Sequence, residues 1–209
     1  AWSSMLSVNG ILDRVAQGLK YLAGSNVEGV EHRHGSLRAV VEWSWNLLQP
    51  HEQDALAQCS VFVGGFTLEA AESVVDLTRH RQTPPVSQIL RKLIDHSMLE
   101  FMDVSDIPDQ VRLGLYSSVR EYAEERLATM GQRPATEARH GDYYLSFGES
   151  KLENGALNTT RTPLAVLAIE LDNFIAAQRR SRGRGTTLAP RLAIVADAVL
   201  SIQGPFDVH

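Results

Sequence analysis

His51-Glu52-Gln53-Asp54-Ala55 opens with the spacing of a zinc-hydrolase helix, in which two histidines four apart hold the metal and a glutamate serves as base. Ala55 stands where the second ligand belongs, so no zinc is expected there. His32 and His34 lie in "EHRH" without a cysteine or a second histidine pair at zinc spacing, and a solvated or structural role is expected. The glycine turns "VGGFT" and "SRGRG" lack the lysine and hydroxyl that a phosphate-cradling loop places after its last glycine. Cys59, in "LAQCSVF", reads as a small core residue rather than a nucleophile. No nucleophile, base and metal set assembles, so the segment is read as non-catalytic and without a cofactor of its own.

The composition, 44% hydrophobic and 22% charged, is that of a globular protein, and 209 residues suffice for one large or two small cores. A net charge of −5 gives no general attraction to nucleic acid or to an anionic membrane. No apolar run approaches the ~20 residues of a membrane span: "LAIVADAVLSI" is short and holds Asp197. The first residues lack the basic start and apolar stretch of a signal peptide. A cytoplasmic chain without membrane contact is expected, and its two ends read as cuts within a longer protein.

These residues must be positioned by mostly helical elements. Ile11, Val15, Leu19 and Leu22 mark one helix face, and a polar loop to Gly35 follows. Ser36 is expected to cap a helix running to "LLQP", and Pro50 to open the next, with Glu52 near its positive end. Thr67 is the expected N-cap of a helix through "LEAAESVVDL". Ile89, Leu90, Leu93 and Met98 mark the buried stripe of "VSQILRKLIDHSM". "LEFMDV" and "VRLGLY", around "SDIPDQ", read as an antiparallel hairpin, and "SSVREYAEERLATMG" as a helix ended by Gly131.

Three helices and a hairpin are the order of a winged helix, whose third helix is the usual recognition element. From Ala135 the pattern is helical: "TEARHGDYYLSFGESKL", "TPLAVLAIELDNFIAAQRR" and "TLAPRLAIVADAVLSI", in hairpins like those of a helical solenoid. The expected fold class is mainly α: residues 1–35 end a helical lid and hinge, 36–132 form the winged helix, and 133–209 begin tetratricopeptide-like repeats.

DNA binding is the function this order invites, and charge argues against it. Residues 36–132 hold eight lysines and arginines against fourteen aspartates and glutamates, a balance of −6 where phosphate contacts need local positive charge. The expected wing carries Asp103, Asp106 and Asp109, and the third helix offers Arg91, Lys92 and His96 against Asp95. Arg179, Arg180, Arg182 and Arg184 form the one basic run, suited to a helix C-terminus or to contact with RNA or an acidic partner.

The string Arg33-His34-Gly35-Ser36-Leu37-Arg38-Ala39-Val40-Val41-Glu42-Trp43-Ser44-Trp45 is followed by Leu47, Leu48, Pro50, Glu52 and Gln53. With "SVFVGGFTLEAAESV", "LIDHSML" and "SVREYAEERL", it resembles the region after the nucleotide-binding domain of bacterial STAND-class (NB-ARC-like) signal-transduction ATPases. These include AfsR-like and LuxR-type regulators and related myxobacterial Ser/Thr kinases. The resemblance implies a helical lid, a winged helix and helical repeats, and "AIELDNFIAAQ" is similar to the first repeat segment, where Glu-Leu-Asp-Asn recurs. It places ATP or ADP on an upstream domain of the parent protein. Arg33 and His34 match the Arg-His before the winged helix, a nucleotide-proximal position. The family's Met-His-Asp motif falls on Leu115, Tyr116 and Ser117, none of which matches.

The expected function is therefore a regulatory module that couples an upstream nucleotide switch to downstream helical repeats. Its partners would be those domains of the same chain, with a protein partner or self-association besides; the alternative is a DNA-binding winged-helix transcriptional regulator. On a helical wheel Leu37, Val40, Val41, Leu47 and Leu48 form an apolar arc with Ser44 at its centre. Trp43 and Trp45 would flank that arc as helix-packing residues, both largely buried.

Overall fold

A computed structural model describes residues 30–102, 111–157, 162–182 and 187–203. The chain divides into two compact units, residues 1–49 and 50–209.

In the first unit, α1 spans Val30–Asn46. Ser36 is thus inside the helix rather than at its cap, and the polar loop expected up to Gly35 is helical from Val30. A glycine within a helix costs only about 1 kcal/mol, too little by itself to end one. Val41, Trp45 and Leu48 are buried at i, i+4 and i+7, while Leu37, Trp43 and Leu47 are exposed. The apolar arc is therefore covered on one flank only. Trp45 is 5% exposed and Trp43 56%, which corrects the expectation of two buried indoles. The helix expected around Ile11–Leu22 lies outside the described residues.

The second unit begins with α2 (Pro50–Cys59), opened by its proline as the sequence predicts. Ala55, Leu56, Ala57 and Cys59 are buried, and burial pushes the Cys59 thiol up to about 12. α3 (Leu68–Val74) is capped by Thr67, whose hydroxyl accepts the Ala70 N–H at 3.2 Å. α4 (Val86–Asp95) buries Ile89, Leu90 and Leu93, and Met98 follows them into the core. Strands β1 (Glu100–Met102) and β2 (Arg112–Gly114) pair antiparallel, with Phe101 opposite Leu113. The turn between them, with Asp103, Asp106 and Asp109, lies outside the described residues.

The sequence pattern concealed one element. Phe66 bridges Leu113, exchanging N–H to O bonds of 2.8 Å in both directions, so "GGFT" supplies a third extended segment beside the hairpin. The order helix, short strand, two helices, hairpin is that of a winged helix.

α5 (Ser117–Thr129) packs on α2 and ends at Gly131, whose φ is +69°. The Gln132 N–H reaches the Leu127 carbonyl and the Gly131 N–H that of Ala128, the two bonds of a Schellman C-cap. α6 (Arg133–Leu157) runs through residues expected to form a loop. α7 (Thr162–Ile169) and α8 (Leu171–Ser181) were expected as one helix, and they break at Glu170. Its N–H bonds the Leu167 carbonyl at 3.1 Å, a tightened turn, and its own carbonyl restarts the ladder at Phe174. α9 (Leu188–Gln203) packs on α6, α7 and α8. A Cβ on Gly148 would lie 2.5 Å from Val195 Cγ1, so this glycine lets α6 and α9 approach closely. The chain is mainly α, a winged helix followed by helical hairpins.

Candidate nucleic-acid interface

α3 and α4 are the helix pair of the helix-turn-helix, and α4 holds the recognition position. Its apolar stripe faces α2 and α3, which turns Ser87, Gln88, Arg91, Lys92 and Asp95 outward into solvent. Arg79 and Arg81, in the loop before α4, are exposed as well. Lys92 Nζ lies 3.3 Å from the Glu52 carboxylate, which is nearly buried, so part of its charge is already answered within the domain. Arg91 remains the exposed cation at the middle of the face. Gln88, one turn earlier, has the donor and acceptor pair that reads an adenine edge.

The wing departs from a phosphate-binding device. Phe101 and Val111 are each 65% exposed, and Arg112, the described wing's one basic residue, is 1% exposed and points the opposite way. It enters a junction with the helical hairpins. Its guanidinium forms a two-pronged pair with Glu170, one contact being Nη2 to Oε2 at 3.2 Å, and Nη2 also donates to the Gly65 carbonyl at 3.0 Å. Glu170 Oε2 further accepts from the Tyr144 hydroxyl at 3.0 Å and from Asn173 Nδ2 at 2.8 Å.

Asn173 completes the junction. Its Nδ2 donates to the Gly65 carbonyl at 2.9 Å, and its Oδ1 accepts the Val63 N–H at 2.8 Å. A backbone N–H only donates, so the orientation of this amide is fixed by its partners. His140 Nε2 lies 3.4 Å from the same Oδ1 and must therefore donate, leaving Nδ1 bare, without a partner among the described residues. Burial first, then the charge of Arg180, lowers His140 to about 3, against the hydrogen bond that it donates to Asn173. The imidazole is neutral. Burial and the neighbouring Glu170 hold the Tyr144 phenol well above its ordinary value.

The turn at the centre of this junction is built for it. Gly64 and Gly65 have φ of +76° and +87°, and a Cβ on Gly65 would lie 2.5 Å from Met102 Sδ and 3.0 Å from the Leu113 carbonyl. Phe62 stacks on Phe66 with centroids 4.4 Å apart and meets His140 and Tyr144 edge-on. Arg180 Nη1 donates to the Val61 carbonyl at 2.6 Å, Arg120 to that of Phe62, and Arg139 Nε to that of Val74 at 2.7 Å.

The residues singled out in the sequence are spread over several elements. Arg33 and His34 lie on α1, and their side chains are outside the described residues. Leu115 is core, whereas Tyr116 and Ser117, at the start of α5, are exposed. Of the basic run, Arg179 and Arg182 are exposed, Arg180 is drawn into the junction, and Arg184 lies outside the described residues. Arg112, Tyr144 and His140 carried no local signal. Glu170 and Asn173 did, as the first and last residues of the Glu-Leu-Asp-Asn string. Among the described residues no His, Cys, Asp and Glu group could hold a metal, and no helix is long and apolar enough to cross a membrane.

Residues 48–128 match the family model of a winged helix-turn-helix domain. The chain is 34% identical over 177 residues to a Mycobacterium tuberculosis (strain H37Rv) protein named "Putative HTH-type transcriptional regulator", covering 84% of this chain and 19% of that protein. A Mycobacterium bovis protein of the same description matches equally. A Mycobacterium tuberculosis protein named only as uncharacterized is 29% identical over 140 residues, 67% of this chain and 35% of its own. The chain thus spans about a fifth of the length of the first of these relatives. No solved structure matches it. Residues 48–128 are a winged helix-turn-helix domain, carried in a chain homologous to mycobacterial proteins named as regulators of the HTH type.

Proposed function

We propose that the chain is the winged-helix and helical-repeat segment of a transcriptional regulator, and that the outer face of α4 meets DNA. The observation that carries this reading is the exposed row of Ser87, Gln88, Arg91 and Lys92 on the recognition helix of a helix-turn-helix. The names of the mycobacterial relatives support it. The acidic balance of the domain makes the expected binding weak and dependent on few phosphates. Two or three such contacts predict a loss of about one to two orders of magnitude in affinity between 50 and 200 mM salt. Fluorescence anisotropy with a labelled duplex tests this: binding at low salt that Arg91→Glu abolishes supports the reading. No binding at low salt removes DNA contact by this winged helix.

A second reading is favoured by the inward-turned Arg112 and the apolar outer wing. In it the segment is a non-catalytic coupling module of a STAND-class signalling ATPase, with ATP or ADP on an upstream domain and tetratricopeptide-like repeats downstream. Arg33 and His34 would lie toward the nucleotide. Nucleotide can bias the module only through contacts that differ between the ATP and ADP states. Restoring the upstream segment and comparing protease protection with ATP and ADP tests it, and equal protection defeats it.

A further inference from the structure

We propose that Glu170 and Asn173 form a bolt by which the helical hairpins set the position of the wing, so that a change in the angle between α7 and α8 is read out at β2. The proposal concerns regulation of the winged helix described above, and its DNA consequence rests on the DNA reading.

Both carboxylate oxygens of Glu170 and both polar atoms of Asn173 are committed across the junction or to each other. Their partners are the guanidinium of β2, the backbone of the turn at residues 63–65 and, on α6, the Tyr144 hydroxyl and the His140 imidazole. That turn continues directly into Phe66, which is hydrogen-bonded to Leu113 on β2 in both directions. Turn, third strand and β2 therefore form one hydrogen-bonded piece, gripped at Arg112 from one side and at Val63 and Gly65 from the other. The two gripping residues are placed one turn apart, at the break between α7 and α8 and just beyond it. Glu170 thus sits at the point where those two helices meet.

Burial gives the grip its force. Arg112 and Glu170 are 1% and 2% exposed, and separating a desolvated pair leaves two uncompensated charges in the core. When α7 and α8 change their angle, the arrangement with the pair intact is favoured, and β2 follows Glu170. A packed junction of this kind shifts between discrete arrangements instead of deforming smoothly. By contrast α4 is held by its apolar stripe against α2 and α3 and has no bond to Glu170 or Asn173 among those described. The wing can thus be moved while the recognition helix stays, which would alter how the two together fit a duplex.

Hydrogen exchange read by mass spectrometry tests the bolt without DNA. Glu170→Gln keeps the side-chain shape and removes the charge. Exchange at residues 63–66 and 111–114 is expected to rise about tenfold, with residues 88–94 of α4 unchanged. A rise confined to α7 and α8, or an equal rise across the whole chain, overturns the proposal, because the pair would then be local packing or a general stabiliser. Should Glu170→Gln fail to fold, Asn173→Ser takes the same measurement. It leaves the ion pair and weakens the hold on the turn, with the same expected pattern and the same overturning ones. If exchange follows the expected pattern and the duplex does not bind, the DNA reading fails and the bolt stands; the reverse result separates them the other way.

Discussion

Arg112 and Glu170, 58 residues apart in the chain, face each other as a two-pronged ion pair almost closed to solvent. Breaking such a pair from one side costs about 3–5 kcal/mol, whereas replacing both partners by apolar residues is often close to neutral. Glu170→Leu and Arg112→Met are each expected to lower the urea midpoint sharply. The double variant should recover at least half of that loss, less the cost of leaving the Gly64 and Gly65 carbonyls and the Tyr144 hydroxyl short of partners. A double variant as unstable as the sum of the singles would refute the pairing.

His140 predicts a pH dependence of known sign. Its folded value of about 3 lies below the ordinary 6.5, so the unfolded chain binds the proton first. The stability this group allows is full above pH 6.5 and is lost progressively as pH falls from there toward 3. At pH 5 the loss is on the order of 2 kcal/mol. His140→Gln, which can still donate to Asn173, should flatten the stability profile between pH 7 and 5; an unchanged slope would assign that dependence elsewhere.

Two helix ends share one motif with different residues. Ser97 follows α4 with φ of +58°, the Met98 N–H bonding Leu93 and the Ser97 N–H bonding Ile94, as Gly131 does after α5. A side chain in the left-handed region costs about 1 kcal/mol relative to glycine. Ser97→Gly is expected to raise the unfolding free energy by about that amount, and Gly131→Ala, with open space around its Cβ, to lower it equally. Thermal denaturation checks both, and a destabilising Ser97→Gly would contradict the argument.

The tryptophans of α1 should behave as opposites. Trp45→Ala removes a buried indole and is expected to cost about 3–5 kcal/mol, while Trp43→Ala stays within about 0.5. Iodide quenching in a Trp2→Phe background gives the same contrast: the quencher-accessible fluorescence is lost in Trp43→Phe and kept in Trp45→Phe.

Elements stabilised by their own neighbours were legible in the sequence. Thr67, Pro50, Gly131 and the Ile89, Leu90, Leu93 stripe all act within a turn or two of their own positions, and each is where its pattern predicted. Apart from the Ser36 cap and the loop that α6 runs through, the failures came where distant residues decide. Phe66 is extended because Leu113 lies beside it, and no alternation over "GGFT" announces that. The single helix expected from 162 to 180 breaks at Glu170, the residue that pairs with Arg112. Of the arc that the wheel for α1 predicts, Val41 and Leu48 are buried while Leu37 and Leu47 are exposed, because a wheel cannot say which flank is covered. The charge count over residues 36–132 includes Arg112, although among the described residues it is the least exposed charge of the domain.

The buried guanidinium also bears on how the segment can be moved between proteins. Cutting the chain after α5, where the winged helix ends, would strand Arg112 without its carboxylate and uncover the face of Phe62 that meets His140 and Tyr144 of α6. Such an excised domain would carry the defect of a half-removed ion pair before any partner was offered to it. The transplantable cassette is the winged helix together with the hairpins as far as α9, which covers α6 and α8, and a shuffled gene that joined this wing to a foreign helical array would have to bring its own glutamate.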